Sequence, residues 1–118
     1  MGYYTNYTGD VLDSNGNWDY ELEEQVAHAV AQLPYFDCDD DKFIITLDDV
    51  IATQAEKWYD YIEDMKHISL RFPNATIVIH GQGENYDDIW NTYFQNGQYA
   101  KYEAEIVIPS FNPADLHL

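Results

Sequence analysis

An α+β fold is expected for this chain: two helices packed on one face of a mostly antiparallel sheet. Three observations predict it. Two segments repeat apolar residues at helical spacing, and each ends at a proline. Segments rich in β-branched and aromatic residues lie before, between and after them. Near the end, Asn96-Gly97 stands between two such segments, and a two-residue Asn-Gly turn is the strongest short hairpin signal.

The elements follow in order. Tyr3 to Leu12 is rich in tyrosine and threonine and ends in Val11-Leu12, which is strand composition. Residues 13–17, DSNGN, are a turn cluster. Leu22, Val26, Ala29, Val30 and Leu33 then form the apolar face of a first helix. Asp19, Glu21, Glu23 and Glu24 crowd its first turn, where they complement the helix dipole, and Pro34 stops it. Phe43 to Leu47, FIITL, reads as a strand. Asp48 to Trp58 is ambiguous: a turn at Asp48-Asp49 and a second strand ending near Trp58 is favoured, with a helix as the alternative. From Asp60, residues Tyr61, Met65, Ile68 and Phe72 restore the helical period. Asp60 and Glu63 have capping-box spacing, and Pro73 ends the helix. Ala75 to Gly81 is a buried strand. Asp88–Phe94 and Gln98–Ile108 are the arms of the hairpin, and the stretch from Pro109 is irregular. A ferredoxin-like βαββαβ core with an added C-terminal hairpin fits this order best, as a single domain over residues 1–118.

A chain of 118 residues with 46% apolar and 16% aromatic content can bury a core large enough to offset the entropy of folding. Its 22 acidic residues against five basic ones leave a net charge of −17. Residues 1–59 hold 13 of the acidic residues and two of the basic ones, so the charge leans towards that half. Such a chain repels nucleic acid and anionic membranes. A partner, if the charge serves one, is basic; otherwise the charge serves solubility. One cysteine excludes an internal disulfide. The opening MGYYTNYTGD carries no signal-like apolar run, and no 18-residue apolar stretch occurs, so a bacterial cytoplasm is expected.

Candidate sites are few. In Tyr35–Phe43, YFDCDDDKF, four aspartates surround Cys38. Counted from Asp37, the sixth and twelfth positions are Lys42 and Asp48, where a calcium-binding EF-hand needs glycine and glutamate, so no metal is assigned. Neighbouring negative charge suppresses the Cys38 thiolate. The histidines at 28, 67, 80 and 117 lack zinc-site spacing. His80 ends an apolar strand and precedes GQGEN. With Glu84, Asp87, Asp88 and Trp90 it outlines an alternative ligand loop able to do acid–base chemistry. No cofactor motif is present, since Gly81-Gln82-Gly83 lacks the rest of a phosphate fingerprint. The carboxylates together are the stronger signal. Glu21 and Glu24 on the helix, with Asp37, Asp39, Asp40, Asp41, Asp48 and Asp49 in the connections, stand at spacings that imitate a phosphate array.

The residues MGYYTNY at the start, KWYDYIEDM at Lys57–Met65 and IVIHGQGENYDDIWNTYFQNGQ at Ile77–Gln98 resemble a family of small phage and prophage proteins. That family opens with MGYYT and carries a glycine-glutamate loop followed by DIW, YF and NG. The resemblance implies a phage context and assigns no functional residue. By analogy with small acidic phage proteins, the expected function is non-enzymatic. It is inhibition of a basic, nucleic-acid-binding host defence protein by DNA mimicry, of the anti-restriction or anti-CRISPR kind. The alternatives are a small ligand-binding or enzymatic domain at the His80–Asp88 loop, or a structural phage protein.

Overall fold

The computed structural model describes residues 5–36, 44–54, 58–85, 88–105 and 107–118. Strand β1 is Asn6–Leu12. Three helices follow: α1 at Tyr20–Ala31, α2 at Asp48–Gln54 and α3 at Tyr61–Leu70. Strands β2 (Thr76–Gln82), β3 (Ile89–Gln95) and β4 (Gln98–Glu103) then complete one antiparallel sheet of order β1-β2-β3-β4.

Alternation along the strands decides which face the helices cover. Tyr7 and Val11 on β1, Ile77 and Ile79 on β2, and Thr92 and Phe94 on β3 are all buried. The register places Val11 beside Ile77 and Ile77 beside Phe94, so these residues form one apolar face. Against it pack Val26 and Val30 of α1, Val50 and Ile51 of α2, and Met65 and Ile68 of α3. Each such side chain contributes roughly 1.5–3 kcal/mol by leaving water.

The α+β class and the antiparallel sheet with helices on it stand as expected, but the order of elements differs. No strand forms over the described residues of Phe43–Leu47, and Phe43 itself lies outside them. Asp48–Gln54 is a helix, the alternative to the favoured turn and strand, and residues 55–57 of that segment lie outside the described ones. The βαββαβ order is therefore replaced by one strand, three helices and a three-strand meander. The physical reason is local. Asp49 Oδ2 accepts from the backbone N–H groups of Ile45 and Thr46, both at 2.9 Å, and Thr46 Oγ1 accepts from Asp49 N–H at 3.3 Å. That reciprocal pair is a capping box, and it starts a helix. The apolar run before it is used as single anchors, with Ile44 and Leu47 buried and Ile45 exposed.

Gly9 lets α2 approach the sheet. A Cβ there would stand 2.6 Å from Leu47 Cδ2 and 3.0 Å from the Val78 carbonyl oxygen. The outward edge of β1 is also engaged. Gly9 N–H donates to Asp48 Oδ1 at 2.8 Å, and the Val11 carbonyl accepts from Asp19 N–H at 3.3 Å. At the other end of the sheet, Asn96 (φ 48°) and Gly97 (φ 83°) are both left-handed, as a type I′ hairpin turn requires.

Tyr7 sits in an aromatic cluster, with ring centroids 5.8 Å from Trp58 and 5.4 Å from Tyr61. Burial, reinforced by the neighbouring Tyr61 phenol, pushes its hydroxyl from 10.0 up to about 12. The folded state resists ionisation that the unfolded chain permits. The stability tied to this group is complete below pH 10 and is lost as pH rises towards 12, a difference of about 2–3 kcal/mol. Urea unfolding at pH 9 and pH 11.5 should show that loss, and Tyr7→Phe should shrink it.

Residues 107–118 cross no other element. All are exposed, apart from a 3₁₀ turn at Pro113–Asp115 they have no regular structure, and Val107, Ile108 and Phe111 are 79%, 85% and 74% accessible. The radius of gyration is 17.2 Å, above the roughly 13–14 Å of a compact chain of this length.

Candidate functional site: an acidic helical layer and a neutral sheet face

The helix starts concentrate carboxylates because capping chemistry selects them. Asp19 caps α1, accepting from Leu22 N–H at 3.1 Å. Glu21 and Glu24 point outward, and Glu24 lies 3.9 Å from His28. Glu23 turns inward and is 4% exposed. Its carboxylate accepts from the Trp18 indole and from Leu47 N–H at 2.9 Å, joining α1 to the segment before α2.

On α2, the two predicted residues differ. Asp48 is half-buried and held by Gly9, whereas Asp49 is exposed. The Thr46 and Ile45 amides hold the Asp49 carboxyl below its usual value. At α3, Asp60 occupies the cap position but makes no side-chain cap bond, contrary to the expected capping box. Glu63 pairs with Lys66 at 3.5 Å, and Asp64 accepts from the Trp58 indole at 2.8 Å. Asp37, Asp39, Asp40 and Asp41 lie outside the described residues.

Between α1 and the end of α3 runs an open groove of about 600 Å³, lined by Glu21, Glu24, Gln25, His28, Arg71 and Phe72. It joins the two predicted α1 carboxylates to a guanidinium and an aromatic edge.

The opposite face of the sheet has another character. Its strand positions are filled by Asn6 and Thr8, Thr76 and Gln82, Asn91 and Gln95, with Val78, Ile89, Tyr93 and Tyr102 among them. Asp10 is the one carboxylate that the described strand residues place there. It faces His80, at 3.3 Å from Nε2, while His80 Nδ1 lies 2.5 Å from Asn91 Oδ1.

The His80 loop is not assembled as the sequence suggested. Trp90 belongs to the helical face, opposite His80. It lies over Gly81, where a Cβ would stand 2.2 Å from the indole, and Lys101 Nζ is 5.0 Å from its ring. Glu84 is exposed in the loop, and Asp88 is half-buried with its backbone bonded to Gly83 and Asn85. Asp87 lies outside the described residues. His80 instead ties β1 to β3 across β2 through Asp10 and Asn91. Neither partner was singled out from sequence, although alternation on a hairpin would have placed Asn91 beside His80.

Compared with family models, with curated proteins and with solved structures, the chain matches none. Its site therefore rests on its own geometry. Among the described residues, no helix is long and apolar enough to cross a membrane, and no group of three or more His, Cys, Asp or Glu could hold a metal ion.

Proposed function

We propose that this chain is a non-enzymatic acidic binding protein whose helical layer docks on a basic, nucleic-acid-binding groove of a host protein. The observation that carries the reading is the segregation of charge. Carboxylates gather at the starts of α1, α2 and α3, while the opposite sheet face holds only Asp10 among its described strand positions. Capping accounts for Asp19 and Asp49, whereas Glu21, Glu24 and Glu63 stand exposed on that layer as well. The resemblance to phage proteins at MGYYTNY, Lys57–Met65 and Ile77–Gln98 supports a phage context, and the analogy with small acidic phage proteins favours an inhibitor of host defence. Exposed carboxylates on one layer raise the on-rate for a cationic surface and block the site that DNA would fill.

The test starts from a salt-eluted partner captured from nuclease-treated host lysate. That partner's affinity for a labelled DNA duplex is measured by anisotropy with and without the chain. Addition of the chain should displace the duplex, and raising the salt should weaken the inhibition. Glu21→Lys, Glu24→Lys and Glu63→Lys together should weaken inhibition roughly tenfold or more at low salt. Glu21, Glu24 and Glu63 are all exposed, so the fold should hold. Inhibition unchanged by the triple reversal would sink the reading.

A further inference from the structure

We propose that residues 107–118 are an exchange arm that docks on the uncovered sheet face of a second copy of this chain, so that two copies form a reciprocal dimer. The arm is apolar where it is most exposed. Val107, Ile108, Phe111 and Leu116 are each at least 69% accessible, so the described residues of their own chain leave most of each side chain uncovered. Leaving such side chains in water costs free energy that docking would recover.

Charge selects the occupant. A second copy also carries −17, so most of its surface repels the first. The arm is an exception, because over residues 107–118 it holds one acidic residue, Asp115. The uncovered sheet face is the other exception, with Asp10 as its only carboxylate among the described strand positions. The two surfaces with little charge are the two that can meet without repulsion.

Spacing fits as well. Shallow grooves on the uncovered face include one of about 170 Å³ beside His80, Ile89 and Asn91 and one of about 270 Å³ beside Tyr93 and Gln95. They are four residues apart along β3, roughly 13 Å. Val107 and Phe111 are also four residues apart, with a similar reach in an extended chain. Pro109 and Pro113 remove amide donors, so the arm suits a face-on seat better than a place in a hydrogen-bonded ladder. At on the order of 100 Å² for each apolar side chain, two exchanged arms and their seats approach the roughly 1,600 Å² of a standard stable interface.

Sedimentation of the full chain over a range of concentrations tests this. A concentration-dependent dimer that tightens as salt screens the mutual repulsion is expected. Binding to a basic partner responds to salt in the opposite sense, so this proposal and the proposed function fail separately. Val107→Ser, Ile108→Ser and Phe111→Ser together should weaken the dimer on the order of a hundredfold or more, with unchanged far-ultraviolet circular dichroism. Tyr93→Glu on the receiving face should do the same. A further readout mixes two chains lacking Cys38 (Cys38→Ser), one with Phe111→Cys and one with Gln95→Cys, and looks for a disulfide between them. A monomer at all concentrations overturns the proposal, as does a dimer that survives the arm variant. A crosslink within one chain carrying both cysteines, at dilutions where only monomer exists, also overturns it.

Discussion

Trp58→Ala is expected to remove about 4 kcal/mol of folding stability, the range observed when a buried tryptophan is truncated. Trp58 is 1% exposed and is the hub of the aromatic cluster. Its ring lies 4.9 Å from Phe36, 5.8 Å from Tyr7 and 6.0 Å from Tyr61, and Tyr35 stacks nearly parallel to it at 6.4 Å. The indole N–H also donates to Asp64 at 2.8 Å, so alanine leaves both a cavity and a carboxylate without its donor. A domain of this length has on the order of 6–18 kcal/mol in total, so the loss is a large share. Urea denaturation should show a lower midpoint with little change in slope. Trp58→Phe keeps much of the volume and should lose less. A midpoint within the error of the parent chain would mean that the cluster does not hold α3 to the sheet.

Glu23→Ala comes next, at about 3 kcal/mol. The carboxylate is buried and bonds the buried Leu47 amide, which would otherwise lack this acceptor, and the half-exposed Trp18 indole. Charge-assisted hydrogen bonds contribute roughly 1.5–3 kcal/mol each, and a buried donor left unpaired adds its desolvation cost. The loss should be local before it is global. Amide exchange at Leu47 and at Gly9 should accelerate, because Glu23 fixes the segment from which Asp48 reaches β1. Glu23→Gln retains one acceptor and should fall between the two. Unchanged exchange at Leu47 in the alanine variant would show that this staple is dispensable.

The contrast between the segments that could be read from sequence and those that could not has a physical basis. The first helix was legible because Leu22, Val26, Ala29 and Val30 sit on one face, and Asp19 caps it. The hairpin was legible because Asn96-Gly97 permits a backbone that few other residues adopt. The segment before α2 was not. Three β-branched residues in the five-residue run FIITL outweighed the Thr46-x-x-Asp49 spacing, although that spacing is the helix-start signal that decides the structure. The site divides in the same way. Net charge showed that carboxylates matter, but not that Glu23, Asp48 and Asp64 turn to their own fold while Glu21 and Glu24 face outward. Sequence spacing placed His80 and Trp90 in one loop, whereas the strand pleat sends them to opposite faces.

The Asp48–Gly9 and Asp19–Val11 bonds at the outer edge of β1 have a consequence for self-assembly. A sheet with two bare edges can recruit copies from both sides and run on into a fibril. Here one side is stoppered by Asp48 of α2, and among the described residues β4 offers the bare edge. Were two copies to meet along β4, they would make one eight-stranded ribbon with a plug at each end, and no third copy could join it. Asp48→Ala removes the acceptor of the Gly9 amide and should raise the dye-binding, fibril-like fraction seen on long incubation of the concentrated chain.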